Sequence, residues 1–320
     1  MDGSEDTAKI DALLAEFDAA KQLSQTERNR GCARIAAQLA ALTPGDYLRE
    51  KLIGLLDSEP VTAFERRDLI YGAVWPDDWR SAAHGAVAKA FAGPEDHFAY
   101  LRDLAAGHRD ADHQGEALQI LARRYVGAPE TFSVLAGIVD GYRESSWIRA
   151  QLRYAESGII SYFAHLPEAL PYLIDSARDH NSDWSRNAAA MQALAEHHRD
   201  NPQTRALLED VARRPRRASN DQAPGSALEV LVKYYPLNTG LCDLLAELID
   251  LHEHPSEQHL IMTKLAKARY PRIKEILFKQ ARRAAHRDAR ALAIKLLTDR
   301  FGDEPGVPEL LQDEPKPPDC

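Results

Sequence analysis

Apolar residues recur along this chain at helical spacing, in short stretches separated by turns, and residues 181–212 show the pattern most cleanly. Trp184, Ala188, Met191 and Ala195 repeat every three to four positions and form one stripe of a helix. Thr204, Leu207, Leu208 and Val211 form a second. Asn201-Pro202 predicts the turn between them: the Asn side chain caps, and proline stands at the first helical position, where its missing N–H costs nothing. Asp183 is placed to cap the first helix.

The same two-helix unit extends in both directions. Ile10, Leu13, Leu14 and Phe17 give a helical stripe, and Ser24-Gln25-Thr26-Glu27 is a capping-box pattern ahead of a helix carrying Ile35, Ala36 and Leu39. After Thr43-Pro44-Gly45, Pro60, Pro94, Pro129, Pro167, Pro202, Pro236, Pro271 and Pro305 follow at spacings of 34, 35, 38, 35, 34, 35 and 34 residues. A second marker keeps the same phase: Asp78-Trp79, Asp112-His113, Ser146-Trp147 and Asp183-Trp184 each place a capping residue before a bulky ring. Leu121, Leu194 and Leu231 occupy equivalent apolar positions. These markers predict an all-α array of seven or eight helical hairpins with a period near 35 residues. The expected organisation is a mobile leader (1–8), two N-terminal capping helices (9–44), the repeat array (45–312) and a disordered tail (313–320).

In residues 181–212, Asp183, Trp184 and Arg186 precede the stripe AAAMQALA, an order that resembles the HEAT-type repeat. More narrowly, the stretch is similar to the HEAT arrays that form the C-terminal sensor portion of bacterial STAND-type (NACHT-containing) NTPases. That resemblance implies a right-handed α-solenoid, armadillo-like in architecture, whose array recognises a ligand while a separate domain hydrolyses nucleotide. The chain contains no GxxxxGK[ST], so NTPase activity does not carry over.

Composition narrows the classes. Hydrophobic content of 44% suffices for a core, and 28% charged residues with a mean hydropathy of −0.43 leave no candidate membrane span. The acidic start MDGSEDTAK lacks the basic and apolar parts of a secretory signal, so the expected location is cytoplasmic. Cys32, Cys242 and Cys320 are far apart, which argues against a disulfide framework and a zinc site. Net charge is −9, with 21 basic against 30 acidic residues before position 200 and 19 against 19 from there on. That balance disfavours a protein devoted to wrapping nucleic acid.

Four constellations invite a functional reading. Trp79, Trp147 and Trp184, beside Arg80, Arg149 and Arg186, either form a binding ladder or start the apolar stripes of their helices; the shared phase favours structure. His252-Glu253-His254 with His259 lacks the HExxH spacing and precedes Pro255, so a solvated loop without metal is expected. His197-His198 falls at a helix end, where a cation suits the dipole. Basic residues gather at Arg213, Arg214, Arg216 and Arg217 around Pro215, and at Lys279, Arg282, Arg283, His286, Arg287 and Arg290. They make either a solvated face or an anion-binding surface.

No GxSxG motif and no cysteine signature support nucleophilic catalysis, and no catalytic residue or cofactor is expected. The leading reading is a non-enzymatic scaffold that binds a protein or peptide on the concave face of the array. Its rival is a DNA-binding enzyme of the HEAT-like alkylpurine glycosylase type.

Overall fold

The computed structural model describes residues 3–22, 25–42, 45–58, 87–89, 91, 93–107, 111–142, 149–179, 184–215, 222–252, 254–283 and 286–302. Every regular element among them is helical. The chain divides into two compact units, Met1–Phe163 and Ala164–Cys320.

The first unit holds α1 (Gly3–Ala20), α2 (Gln25–Ala40), α3 (Asp46–Ser58), α4 (Pro94–Gly107), α5 (Ala111–Arg124), α6 (Pro129–Tyr142) and α7 (Arg149–Gly158). A π-helical turn, Ile159–Phe163, continues α7. Helix α1 begins at Gly3, six residues before the start expected for it. Ile10 and Phe17 of α1, Ile35 and Leu39 of α2, and Leu48, Leu52 and Leu56 of α3 share one apolar core with Val87. Tyr100 of α4 packs against that core, and α5 lies against α4, α6 and α7.

Helix α5 is unlike a surface helix. All seven residues from His113 to Gln119 are buried, so the helix is enclosed on every side and four polar side chains go in with it. Burying them is tolerable only with partners. The Gln119 amide donates to the Tyr154 carbonyl oxygen (2.9 Å), and the His113 Nε2–H donates to the Leu56 carbonyl (2.9 Å). Gly115 lets α7 approach α5 closely: a Cβ built at this position would overlap Cδ2 and Cε2 of the buried Tyr154 ring.

The second unit holds a 3-10 turn, Pro167–Ala169, then α8 (Leu170–Arg178), α9 (Trp184–His197), α10 (Pro202–Ala212), α11 (Ala223–Tyr234), α12 (Thr239–Leu248), α13 (Pro255–Lys267), α14 (Ile273–Arg283) and α15 (Arg287–Phe301). Helices pack both on the next element and on the next but one: α9 meets α10 and α11, α11 meets α13, and α13 meets α14 and α15. Thr204, Leu207, Leu208 and Val211 of α10 are all buried, as are Met191 and Ala195 of α9.

Turn chemistry sets the starts. Pro94, Pro129 and Pro202 are the first residues of α4, α6 and α10, and Pro167 opens the 3-10 turn. Pro236 and Pro271 lie in the links before α12 and α14. Asn201 Oδ1 accepts from Gln203 N–H (2.9 Å) and Asn238 Oδ1 from Leu241 N–H (3.0 Å), each capping a helix. Pro60 and Pro305 are outside the described residues.

At the end of α13 the Tyr270 N–H bonds to the Leu265 carbonyl (3.1 Å) and the Arg269 N–H to the Ala266 carbonyl (3.2 Å). This pair of bonds requires a left-handed residue between helix and link, and Arg269 supplies it at φ 53°. An L side chain pays about 1–2 kcal/mol in that region, partly offset by the backbone freedom glycine would add to the unfolded chain. Arg269→Gly is therefore expected to raise stability by about 0.5–1 kcal/mol in urea unfolding, and Arg269→Val to lower it.

Candidate functional site

The last three helices concentrate positive charge. Residues 254–302 carry twelve Lys and Arg against four Asp and Glu, a net of +8 in a chain whose total is −9. Two of the four carboxylates are occupied: Glu257 is buried against His252, and Glu275 pairs with Arg272 (3.4 Å). Asp288 and Asp299, both on α15, are exposed.

The cations divide into engaged and unengaged groups. Lys279 reaches across to Asp250. Arg300 donates to the Ala266 carbonyl, which holds the C-terminal end of α15 against that of α13. Arg290 is half-buried on α15, and Arg283 closes α14. By contrast, Lys264, Lys267, Arg269, Arg282, Arg287 and Lys295 have no carboxylate partner among the described residues. Arg282 rests over the Phe278 ring, 5.9 Å from its centroid. Lys267, Arg269 and Arg300 cluster about the joined ends of α13 and α15. Cations at helix C-termini also complement the dipole, which accounts for part of this placement.

The other basic group behaves differently. Arg213 bonds Glu247 (3.1 Å) and approaches Glu209 (3.6 Å), and Arg214 pairs with Asp210 (2.7 Å). The Glu247 hydrogen bond is the main reason the Arg213 guanidinium is raised above its ordinary range. Arg213 thus ties the end of α10 to α12, while Arg214 pairs back onto α10 itself; Arg216 and Arg217 lie outside the described residues. Spacing in sequence groups all four, whereas the fold gives the first two carboxylate partners from α10 and α12.

Histidine placement corrects the expectation of solvated loops. His252 is buried, 3% exposed. Its Nε2–H donates to the Ala212 carbonyl at the end of α10 (3.0 Å), and Nδ1 lies in hydrogen-bond contact with Glu257 Oε2 (2.7 Å). His198 likewise donates from Nε2 to the Ala164 carbonyl (2.7 Å), although His197 beside it is exposed. His254 and His259 are exposed. The physical reason is the same in each buried case: the last carbonyls of a helix have no partner within it, and a side chain from a later helix fills the vacancy. Asn187 does this for α8, donating to Ser176 and Asp179 carbonyls (2.7 and 2.9 Å). No sequence spacing identifies these bonds, since they join residues up to 57 positions apart.

Of the ring markers, His113 is the buried donor on α5 described above, while Trp79 and Trp147 lie outside the described residues. Trp184 opens α9, and Arg186 on the same helix faces Asp179 at 3.8 Å. No group of three or more metal-ligating side chains occurs among the described residues. Burial, then the neighbouring Asp243, pushes the Cys242 thiol up, which keeps it protonated and unreactive. The Tyr270 hydroxyl donates to Asp243 Oδ1 (2.7 Å), and that bond leads the upward shift of the phenol. No described helix is long and apolar enough to cross a membrane.

No protein-family model, no curated protein and no solved structure matches the chain.

Proposed function

We propose that the chain is a non-enzymatic scaffold of the HEAT type, a right-handed α-solenoid that holds a protein or peptide partner on the surface of its second helices. The observation that carries this reading is the way those helices are joined in the second unit. Arg213, just after α10, bonds Glu247 of α12, and Asp250, just after α12, pairs with Lys279 of α14. Exposed pairs of this kind add little stability, about 0–1 kcal/mol each. They link successive second helices, and a row of such helices is the surface that stacked hairpins use for recognition.

The reading distinguishes first from second helices experimentally. Ala206 is exposed on α10, a second helix, and Gln192 is exposed on α9, a first helix. In capture experiments from extracts of the native host, Ala206→Arg is expected to reduce retention of the bound protein by about tenfold or more, as a charge forced into an interface does, while Gln192→Arg leaves it unchanged. Equal retention by both variants, or no protein retained by the unsubstituted chain, defeats the proposal.

A further inference from the structure

The cation excess of α13–α15 stands beside an acidic segment of the same chain. Residues 303–320, which follow Gly302 directly, contain six Asp and Glu and one Lys, a net of −5. We propose that the basic face of α13–α15 is a docking surface for a carboxylate-rich peptide segment, and that residues 303–320 of this chain occupy it.

Three observations carry the assignment. The first is charge: five exposed cations, Lys267, Arg269, Arg282, Arg287 and Lys295, and the half-buried Lys264 have no carboxylate partner among the described residues, and the segment supplies six carboxylates. The second is position. The segment starts at the C-terminal end of α15, where Arg300 holds that end against α13 and where Lys267 and Arg269 stand. The third is reach. Eighteen residues span up to about 60 Å extended, and α15, at about 1.5 Å per residue, is only about 22 Å long. The segment can therefore run back along α15 past Lys295 to Arg287.

Energetics favour a tethered occupant over a free one. Individual surface ion pairs are weak, and salt screens them over about 8 Å at physiological strength. Attachment raises the local concentration of the carboxylates to roughly millimolar, so several weak contacts suffice. A free acidic partner meets the same face only by displacing them. The inference stands on the charges and geometry of this face and does not depend on the scaffold reading.

Zero-length carbodiimide cross-linking of the full chain, mapped by mass spectrometry, tests the assignment. Asp303 and Glu304 are too close in sequence to α15 to be informative; Glu309, Asp313, Glu314 and Asp319 are the reporters. They are expected to form intramolecular amides with Lys267 and Lys295 in about fivefold preference over Lys9, Lys21 and Lys51 of the first unit, and the yield should fall about fivefold between about 0.05 and 0.5 M salt. Arg269→Gly, which relieves backbone strain, should reduce the yield while leaving the chain folded. Amides spread evenly over all lysines, amides only between two copies, or no amides together with gel-shift binding of added DNA would each overturn the proposal.

Discussion

Gly115→Ala is expected to destabilise the first unit by about 2–3 kcal/mol, near the upper end of the usual cost of overfilling a packed core. Alanine is the better helix former by about 1 kcal/mol, so the sign depends on which effect wins. Geometry decides it. The new methyl overlaps the Tyr154 ring, which is 1% exposed. Retreat of α7 is resisted as well, because Gln119 of α5 holds the Tyr154 backbone carbonyl. One turn further along the same side of α7, Gly158 comes within 3.1 Å of Ala122 on α5 and 3.3 Å of Leu135 on α6, measured from a Cβ built there. Chemical unfolding of Gly115→Ala, Tyr154→Leu and the double variant forms a cycle. A smaller ring-free side chain should recover much of the loss, giving a coupling of about 1–2 kcal/mol. Additive effects would mean that the two residues do not meet as described.

The second large effect is expected at His252. Replacing it by leucine removes the imidazole from Glu257, which is 6% exposed, and leaves the Ala212 carbonyl without its donor. Breaking one side of a buried ionic or hydrogen-bonded pair costs about 3–5 kcal/mol, because the remaining group stays desolvated. The double variant His252→Leu with Glu257→Leu should recover most of that loss, since an apolar pair of similar volume leaves no buried charge behind. Urea midpoints of the three proteins measure both steps. A His252→Leu protein as stable as the original would show that the His252–Glu257 contact is not formed in solution.

These two sites mark the boundary of what the sequence carries. Helix formation depends on neighbours along the chain, so the 3.6-residue stripes of α9 and α10, the Asn201 cap and the helix-opening prolines at 94, 129 and 202 are legible in it. Helical class follows from the same local rules. The charge of the last helices is legible too, as a property of residue types. What a histidine or an arginine does with that charge is not. His252 sits in a polar run before a proline and reads as solvated, yet a carbonyl 40 residues away and a carboxylate on the following helix draw it inside. Arg213 reads as part of a basic cluster with Arg214, Arg216 and Arg217, either a solvated face or an anion-binding surface, yet Glu247 of α12 engages it.

The sequence by itself determined the helical class of the chain and the sign of the charge on each segment. Tertiary structure alone decided that α5 is enclosed on all sides, that Gly115 is a contact point rather than a flexible link, and that Lys267, Arg269 and Arg300 gather at one end of α13 and α15. The reason is range: stripes and caps are written in bonds spanning a few residues, whereas burial and ion pairing depend on which distant helix end lies opposite, and a single sequence does not state that.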